Sequence, residues 1–122
     1  MTKHRIALTG ATGGLGRAIL ADLSARSDCR VLALVRDGAR LAQTAPHVQV
    51  GPVNFADAKQ LANRLESFQP TVLIHGAATG MQVPRPSWHE MVECNVALSV
   101  RLCELAARVP NCRFVFVSSG LA

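Results

Sequence analysis

Residues 9–16 read Thr-Gly-Ala-Thr-Gly-Gly-Leu-Gly, and this glycine-rich stretch decides the fold of the 122-residue chain. It follows a short apolar run, Arg5–Thr9, whose composition predicts a first strand. It precedes Leu15–Ala25, where apolar residues recur at helical spacing. A glycine-rich turn between a strand and a helix is a context in which proteins bind phosphate groups, so an anion site is predicted here.

The glycines of this stretch have different predicted roles. Gly10 permits the tight turn after the strand, and Gly16 allows the helix to pack closely against that strand. Gly13 or Gly14 lets backbone N–H groups approach an anion without an intervening Cβ atom. The positive end of the helix dipole completes the site. The positions predicted to bind a phosphorylated cofactor are Gly10, Thr12, Gly13, Gly14, Leu15 and Gly16.

The rest of the chain alternates strand-like and helix-like segments. Further strands are predicted at Arg30–Val35, His47–Val50, Thr71–Ile74 and Cys112–Val117, and further helices at Ala58–Phe68 and Trp88–Val109. Asp57 is a suitable N-cap for the first of these helices, and Pro70 marks its end. Gly38–Ala42 is predicted as a single helical turn, and Ala77–Ser87, with its Gly and Pro clusters, as a loop.

This alternation predicts one α/β domain over residues 1–122. Strands that are joined through helices pair in parallel by right-handed crossovers. The expected architecture is therefore Rossmann-like, with three layers (αβα) around a five-stranded parallel sheet of order 3-2-1-4-5. Such sheets bind ligands beyond the carboxyl ends of the strands, at the switch between strands 1 and 4.

Composition excludes several other classes of protein. Hydrophobic residues make up 49% of the chain and charged residues 17%, which excludes a disordered segment. The aromatic content of 4% suits a parallel sheet covered by helices better than a β-sandwich. The net charge of +5 comes from eleven Arg and two Lys that are scattered and not interleaved with aromatics. This pattern argues against nucleic acid as a partner and favours a small anionic ligand.

The cysteines and the chain termini give further expectations. Cys29, Cys94, Cys103 and Cys112 form no CxxC pair and have no companion His at metal-ligand spacing, so no metal site is predicted. They are expected to be buried free thiols in a reducing compartment. The first ten residues lack the apolar region of a signal peptide, and no apolar run approaches the roughly 20 residues that span a membrane. A soluble, cytoplasmic protein without a membrane partner is expected.

The motif TGATGGLG resembles the cofactor loop of the short-chain dehydrogenase/reductase superfamily, and it satisfies both the TGxxGxxG and the TGxxxGxG spacing. The similarity extends over essentially all 122 residues. His75-Gly76-Ala77-Ala78 resembles the HxAA motif of the extended and atypical branches, where Ala77 and Ala78 would line the nicotinamide ribose. Trp88, seven residues before Asn95, resembles the family's fourth helix, and FVFVSS resembles the strand that delivers the catalytic serine.

This resemblance also implies roles for individual residues. Asn95 would order a proton-relay water and Ser119 would polarise the substrate carbonyl, although each could instead have only a local structural role. The adenine end would be bound by Asn54 and Phe55, where the family usually has an Asp. The chain also departs from the family pattern at Leu98, where a Gly is favoured.

The end of the second strand indicates which dinucleotide is bound. A carboxylate at this position bonds the ribose hydroxyls of NAD, whereas an arginine pairs with the 2′-phosphate of NADP. Arg36 stands there, 20 residues after Gly16, and Asp37 comes one step later. NADP(H) is therefore favoured, the alternative being that Arg36 is a solvated residue at a strand end.

The superfamily's acid/base chemistry rests on a Tyr-x-x-x-Lys pair, and these 122 residues contain no tyrosine. The only lysines are Lys3 and Lys59. The first hypothesis is thus the N-terminal, NADP-binding half of an oxidoreductase whose small-molecule substrate is not indicated, catalytically incomplete by itself. A non-catalytic dinucleotide-binding sensor or regulatory module, and one half of a split or self-associating enzyme, remain alternatives. An uncovered edge at the fifth strand favours a homo-oligomer.

Overall fold

A computed structural model describes residues 4–36, 41, 45–76 and 86–117 of the chain. The strands are β1 (His4–Thr9), β2 (Cys29–Arg36), β3 (Val48–Val53), β4 (Val72–His75) and β5 (Arg113–Phe116). The helices are α1 (Gly14–Ser24), α2 (Ala58–Phe68), α3 (Trp88–Val92) and α4 (Leu98–Ala107), with a π-helical turn at Glu93–Ala97 between the last two. The predicted turn at Gly38–Ala42 and most of the predicted loop Ala77–Ser87 lie outside the described residues.

The five strands form one parallel sheet of order β3-β2-β1-β4-β5, which confirms the predicted fold class and strand order. β1 lies at the centre, paired with β2 on one side and β4 on the other. β3 and β5 are therefore the two edges. The chain reverses its direction across the sheet between β1 and β4, and this is where the loops after those two strands separate and leave room for a ligand.

Side chains that alternate along the central strands build two apolar cores, one on each face of the sheet. Ala7 of β1 and Leu32 of β2 face a core that includes Leu61 and Leu65 of α2 and Leu102 of α4. Their neighbours along the strands face the opposite core, where they pack with Leu20 and Leu23 of α1; these strand residues are Ile6, Leu8, Val31 and Ala33. The strands are thus apolar on both faces, as expected of a parallel sheet covered by helices.

Helix α2 begins and ends where the sequence predicts. The Asp57 carboxylate accepts hydrogen bonds from the backbone N–H groups of Lys59, at 3.0 Å, and Gln60, at 3.2 Å. Such a cap contributes on the order of 1 kcal/mol. At the other end, Gln69 adopts a left-handed conformation with φ of 53°, and Pro70 follows. The N–H of Gln69 still donates to the Leu65 carbonyl at 2.8 Å, but the left-handed backbone of Gln69 turns the chain out of the helix, and Pro70 has no N–H to continue the hydrogen-bond ladder.

Strand β3 is longer than the predicted His47–Val50, because it continues through Gly51 and Pro52 to Val53. Pro52 is exposed on an edge strand, where its missing N–H removes no ladder bond. Gly51 suits the packing, since a Cβ atom there would lie 2.9 Å from Cδ1 of Leu32 on the neighbouring strand and would displace that methyl group. Two residues that usually interrupt a strand are therefore accommodated in this one.

The segment predicted as one helix, Trp88–Val109, is interrupted by the π-helical turn and ends at Ala107. The apolar side chains of this segment differ in exposure. Leu102 and Leu105 are buried, but Val92, Val96 and Val100 are exposed together with Trp88. These last four residues, spaced four apart, form an exposed apolar stripe along the helix.

The cysteines differ in burial, which corrects the expectation that all four are buried. Cys29 is buried, Cys94 and Cys112 are half-buried, and Cys103 is exposed. Cys103 follows Leu102 in α4, and successive helical residues point about 100° apart, so a core position is followed by a solvent-facing one. Burial raises the pKa of the thiols of Cys29, Cys94 and Cys112, which favours their uncharged form.

Membrane-spanning helices and metal-binding clusters are both absent from the described ranges. None of the helices in residues 4–36, 45–76 and 86–117 is both long and apolar enough to cross a membrane. Over the same ranges, His, Cys, Asp and Glu side chains do not gather in groups of three or more that could hold a metal ion.

Candidate nucleotide-binding site

The glycine loop turns sharply after β1 and directs backbone N–H groups outward. Gly10 has φ of 82°, a left-handed conformation that favours glycine, and its carbonyl accepts a hydrogen bond of 3.0 Å from the N–H of Gly13. α1 begins at the next residue, Gly14, with no side-chain cap and no acidic residue in its first turn. The amino end of α1 therefore presents backbone donors and the positive end of the helix dipole to a ligand.

The three glycines that follow Gly10 in the loop are not equivalent. A Cβ atom on Gly16 would collide with the backbone carbonyl group of Gly10, so Gly16 is needed for the loop to lie against the helix. A Cβ on Gly13 would reach only 3.5 Å from the same carbonyl oxygen, and a Cβ on Gly14 would meet nothing within 4 Å. Gly16 thus serves internal packing, while the surface at Gly13 and Gly14 is open to a ligand that approaches closely.

A groove of about 490 Å³ opens beside this loop. Five of the residues predicted to bind a cofactor line it: Gly10, Thr12, Gly13, Arg36 and Phe55. These residues come from the carboxyl ends of β1 and β2 and from the turn after β3, as expected for a parallel sheet. The volume is within the range of small-molecule and cofactor sites.

Other predicted residues lie outside the lining of the groove or outside the described residues. Gly14, Leu15, Gly16, Asn54 and Asn95 are not among its lining residues. Ala77, Ala78 and Ser119 fall in the parts of the chain that the structure does not describe.

Asn54 has a clear local role in the turn after β3. Its side-chain oxygen accepts a hydrogen bond of 3.0 Å from the N–H of Ala56, and its backbone N–H donates to Oε1 of Gln60 at 2.9 Å. This Asx-type turn positions Phe55 at the groove. The carbonyl oxygen of Phe55 in turn accepts a hydrogen bond of 2.9 Å from Arg101 of α4.

Sequence reasoning missed the contribution of the segment around α3 to this groove. His89, Glu90, Glu93, Cys94 and Leu98 line it from the side opposite the glycine loop. Of these, Glu93 forms an ion pair of 3.5 Å with Arg101. The one sequence signal was Ser87, whose hydroxyl oxygen accepts from the N–H of Glu90 at 3.1 Å and so fixes where α3 begins.

A hydrogen-bonded chain of buried and half-buried groups connects the glycine loop to the π-helical turn. Oγ1 of Thr9 lies 2.6 Å from Nδ1 of His75, and Nε2 of His75 lies 2.9 Å from Oγ of Ser99. The Ser99 hydroxyl donates to the carbonyl oxygen of Asn95 at 2.9 Å, and the N–H of Gly76 donates to Oγ1 of Thr9 at 3.1 Å.

The direction of these bonds places a proton on Nε2 of His75. The Ser99 hydroxyl donates its one proton to Asn95, so it accepts from Nε2–H of His75. In the neutral imidazole, Nδ1 then accepts the proton of the Thr9 hydroxyl. Burial favours the same state, since it lowers the pKa of His75.

Comparison with known proteins agrees with this geometry. A sequence profile of the NAD-dependent epimerase/dehydratase family matches residues 6–122. The chain belongs to this family. The predicted resemblance to extended short-chain dehydrogenase/reductases is thereby confirmed. No curated protein matches the chain in sequence.

Solved structures of this epimerase/dehydratase family share the fold at low sequence identity. The enzyme WbmG of Bordetella bronchiseptica, solved in complex with NAD, has a TM-score of 0.82 and 22% identity over 97% of this chain. An epimerase of Methanothermobacter thermautotrophicus has a TM-score of 0.78 and 20% identity over 98%. The dTDP-glucose 4,6-dehydratase of Bacillus anthracis, in complex with NAD, has a TM-score of 0.73 and 19% identity over 94% of this chain. The chain spans only 38%, 36% and 37% of these three proteins.

Proposed function

We propose that this chain is the dinucleotide-binding domain of an oxidoreductase-type member of the epimerase/dehydratase family. The observation that carries the proposal is the loop at the amino end of α1, where the surface at Gly13 and Gly14 is open and no side chain caps the helix. A pyrophosphate bound there would accept hydrogen bonds from the backbone N–H groups of Gly10, Thr12, Gly14 and Leu15, while the N–H of Gly13 is used within the loop.

The remaining parts of the dinucleotide would extend from this point in two directions. The adenosine half would follow the groove towards Arg36 and the turn of Asn54 and Phe55. The nicotinamide half would pass the carboxyl end of β4, where the family resemblance implies that Ala77 and Ala78 line the ribose. Support for this placement comes from the groove itself, since its lining includes both the glycine loop and Gly76.

NADP(H) is the proposed form of the cofactor. Arg36 is the last residue of β2, is exposed, and lines the groove where the adenosine ribose would lie. A guanidinium group there would form charge-assisted hydrogen bonds with a 2′-phosphate. The related WbmG and dehydratase structures contain NAD, so cofactor preference is the feature on which this chain would differ from them.

In the whole protein, a bound nicotinamide would accept or supply a hydride. The residues of this chain would contribute binding and orientation, with Ser119 polarising a substrate carbonyl and Asn95 ordering a water. These 122 residues contain no tyrosine. Any general acid/base catalysis that they provide would therefore have to come from another type of side chain. The same observation favours a second candidate function, a binding module that senses the dinucleotide without turning it over.

Titration of the purified chain with NADPH and NADH, followed by the fluorescence of the reduced nicotinamide, tests the proposal. Saturable binding of NADPH, tighter than that of NADH, is expected. Failure of both dinucleotides to bind would refute the assignment of the site. Equal affinity for the two would leave dinucleotide binding intact and refute the proposed preference for NADP(H).

A further inference from the structure

A second groove, separate from the nucleotide site, opens at the amino ends of the strands. It has a volume of about 600 Å³ and lies between the β1–β2–β3 part of the sheet and helix α2. Three arginines line it, Arg5 of β1, Arg30 of β2 and Arg64 of α2, and we call it the arginine groove. It shares no lining residue with the nucleotide groove, which opens at the carboxyl ends of the strands.

Two of these arginines are direct neighbours across the sheet. Arg5 and Arg30 are register partners in the β1–β2 pair, so their side chains extend from the same face. Like charges at directly opposed positions destabilise a strand pair. The arrangement is therefore unfavourable unless water or a bound anion compensates the charge.

The lining of the groove contains no acidic side chain to provide that compensation. Its other polar residues are neutral: Gln49, Gln60, Asn63 and Ser67. Within the part of the chain that the structure describes, none of the three guanidinium groups forms an ion pair. Over the same residues, the guanidinium group of Arg30 has no hydrogen-bond partner either.

The other two guanidinium groups are held in place by the fold. Nε of Arg5 donates to the carbonyl oxygen of Phe68 at 2.7 Å, and its guanidinium carbon lies 4.6 Å from the centre of the Phe68 ring. Nη2 of Arg64 donates to the carbonyl oxygen of Pro52 at 3.0 Å. These contacts use one N–H of each group for orientation, which leaves further donors for a ligand. A guanidinium fixed in this way loses less side-chain entropy when it binds.

We propose that the arginine groove binds a small phosphorylated molecule through a phosphate or diphosphate group. Three positive charges match a group that carries two or more negative charges better than a single carboxylate. The planar donor sets of arginine suit the oxygens of phosphate, and the four neutral polar side chains can bond the rest of the molecule. The proposal is independent of the dinucleotide site, because the arginine groove lies at the amino ends of the strands and the dinucleotide site at their carboxyl ends.

Inorganic pyrophosphate is a suitable probe of this groove. The full chain, labelled with ¹⁵N, is titrated with pyrophosphate while backbone amide shifts are followed by NMR. Gln49, Asn63 and Ser67 report on the arginine groove, and Gly13 and Gly14 report separately on the glycine loop. Saturable amide shifts are expected at the three arginine-groove residues, whether or not the amides of the glycine loop also shift. Malonate serves as the comparison ligand because it is a dianion with carboxylates in place of phosphates.

Two substitutions and a matched control test which residues bind the probe. Arg30→Gln and Arg64→Gln should each weaken pyrophosphate binding at the groove reporters by at least about tenfold, the size of a lost charge-assisted hydrogen bond. Arg26 follows the end of α1, which packs on the other face of the sheet, and Arg26→Gln removes the same charge there, so it should change the affinity less than about twofold.

The outcomes separate the alternatives. Weaker binding in both groove variants, with the control unchanged and pyrophosphate preferred over malonate, supports the proposal. Three results would overturn it: amide shifts that do not saturate, an equal loss of pyrophosphate affinity in all three variants, or groove variants that bind pyrophosphate like the wild type. In each case the arginines would act only through net charge or not at all. Tighter binding of malonate than of pyrophosphate would overturn the assignment to phosphate. Folding of each variant is checked from the dispersion of its amide spectrum.

Discussion

Oγ1 of Thr9 and Nδ1 of His75 lie 2.6 Å apart at the carboxyl ends of two neighbouring strands. Both side chains are fully buried, and Thr9 immediately precedes the glycine loop. The bond therefore fixes the end of β1 to the end of β4 at the point where the two following loops diverge. Through Ser99, the same imidazole reaches the π-helical turn that contains Asn95. A single buried histidine thus aligns three segments that surround the proposed site.

The first prediction concerns the protonation of His75. Burial lowers its pKa in the folded protein, so at pH values below the unfolded pKa of about 6.5 the unfolded chain binds the proton more readily. Stability from this residue is therefore present above about pH 6.5 and is lost as the pH falls towards the folded pKa. The free energy of unfolding should decrease by up to about 1.4 kcal/mol per pH unit in this window. Urea unfolding at pH 7.5, 6.5 and 5.5 measures it.

Two variants isolate this effect from other titrating groups. His75→Asn should lower stability at pH 7.5, because it breaks buried hydrogen bonds, but should flatten the decrease between pH 7.5 and 5.5. His89→Asn changes an exposed histidine and should keep the wild-type slope. If His75→Asn retained the full acid sensitivity, another group would be responsible for it.

The second prediction separates binding from packing in the glycine loop. Gly13→Val places a side chain on the surface where the pyrophosphate is proposed to bind, and it should abolish NADPH binding with little loss of stability. Gly16→Val would collide with the Gly10 carbonyl, so it should abolish binding and also lower the thermal midpoint. Gly14→Ala is the control for stability alone, since its Cβ meets no protein atom within 4 Å, and it should keep the wild-type thermal midpoint. Fluorescence titration and thermal unfolding of the same samples give the two readouts.

The contrast between Gly13 and Gly16 decides the interpretation. Unchanged NADPH affinity in Gly13→Val would place the dinucleotide elsewhere. A Gly16→Val protein as stable as the wild type would show that the loop can move away from α1, in conflict with the close approach that the geometry requires.

The third prediction concerns Arg36 and the choice of cofactor. Arg36→Ala should weaken NADPH binding by about 1.5–3 kcal/mol, the contribution of a hydrogen bond to a charged group, and leave NADH binding nearly unchanged. Isothermal titration calorimetry with both dinucleotides measures the difference within one variant, so NADH is the internal control. Similar losses for NADPH and NADH would mean that Arg36 does not contact the 2′-phosphate.

Sequence patterns determined much of this fold because its elements have strong local signals. The strand order follows from alternating strands and helices, and the bounds of α2 follow from Asp57 and Gln69–Pro70. Strand β3 was underestimated because Gly51 and Pro52 usually interrupt strands, and only their place on an edge strand makes them acceptable.

The candidate site was predictable only where it depends on neighbouring residues in the chain. The glycine loop is such a case. The π-helical turn is not such a case. Its Asn95 carbonyl is bonded to Ser99, and Ser99 is bonded to His75, which lies 24 residues away in the chain. The same holds for Glu90 and Glu93, which have no periodic or compositional signal and reach the groove through the packing of α3 against the sheet.

The last prediction is that the purified 122-residue chain associates and shows little turnover. The exposed apolar stripe consists of Trp88 at 77% exposure, Val92 at 38%, Val96 at 56% and Val100 at 53%. At the sheet edge, Val115 and Phe116 of β5 are also exposed. Contiguous apolar surface of this kind favours burial against another chain, and a two-fold copy is the simplest partner.

Size-exclusion chromatography with light scattering should therefore show a dimer or larger species. Val96→Glu places a charge in the middle of the stripe and should shift the chain towards monomer. Val50→Glu, at a position that is 37% exposed on the opposite edge strand, is the matched control and should not. A monomeric wild type, or equal effects of the two substitutions, would argue against association through the stripe.

Turnover is expected to stay near background because these residues lack the family's principal acid. Positioned acid/base groups contribute about 10²–10⁴-fold in rate, and the chain contains no tyrosine to act in this way. Steady-state assays with NADPH and a panel of aldehydes, ketones and quinones measure it. Robust turnover would contradict the prediction and direct attention first to His89, Glu90 and Glu93, which are among the described groove residues whose side chains can transfer a proton. Loss of that turnover in single variants of these three residues would then identify the group.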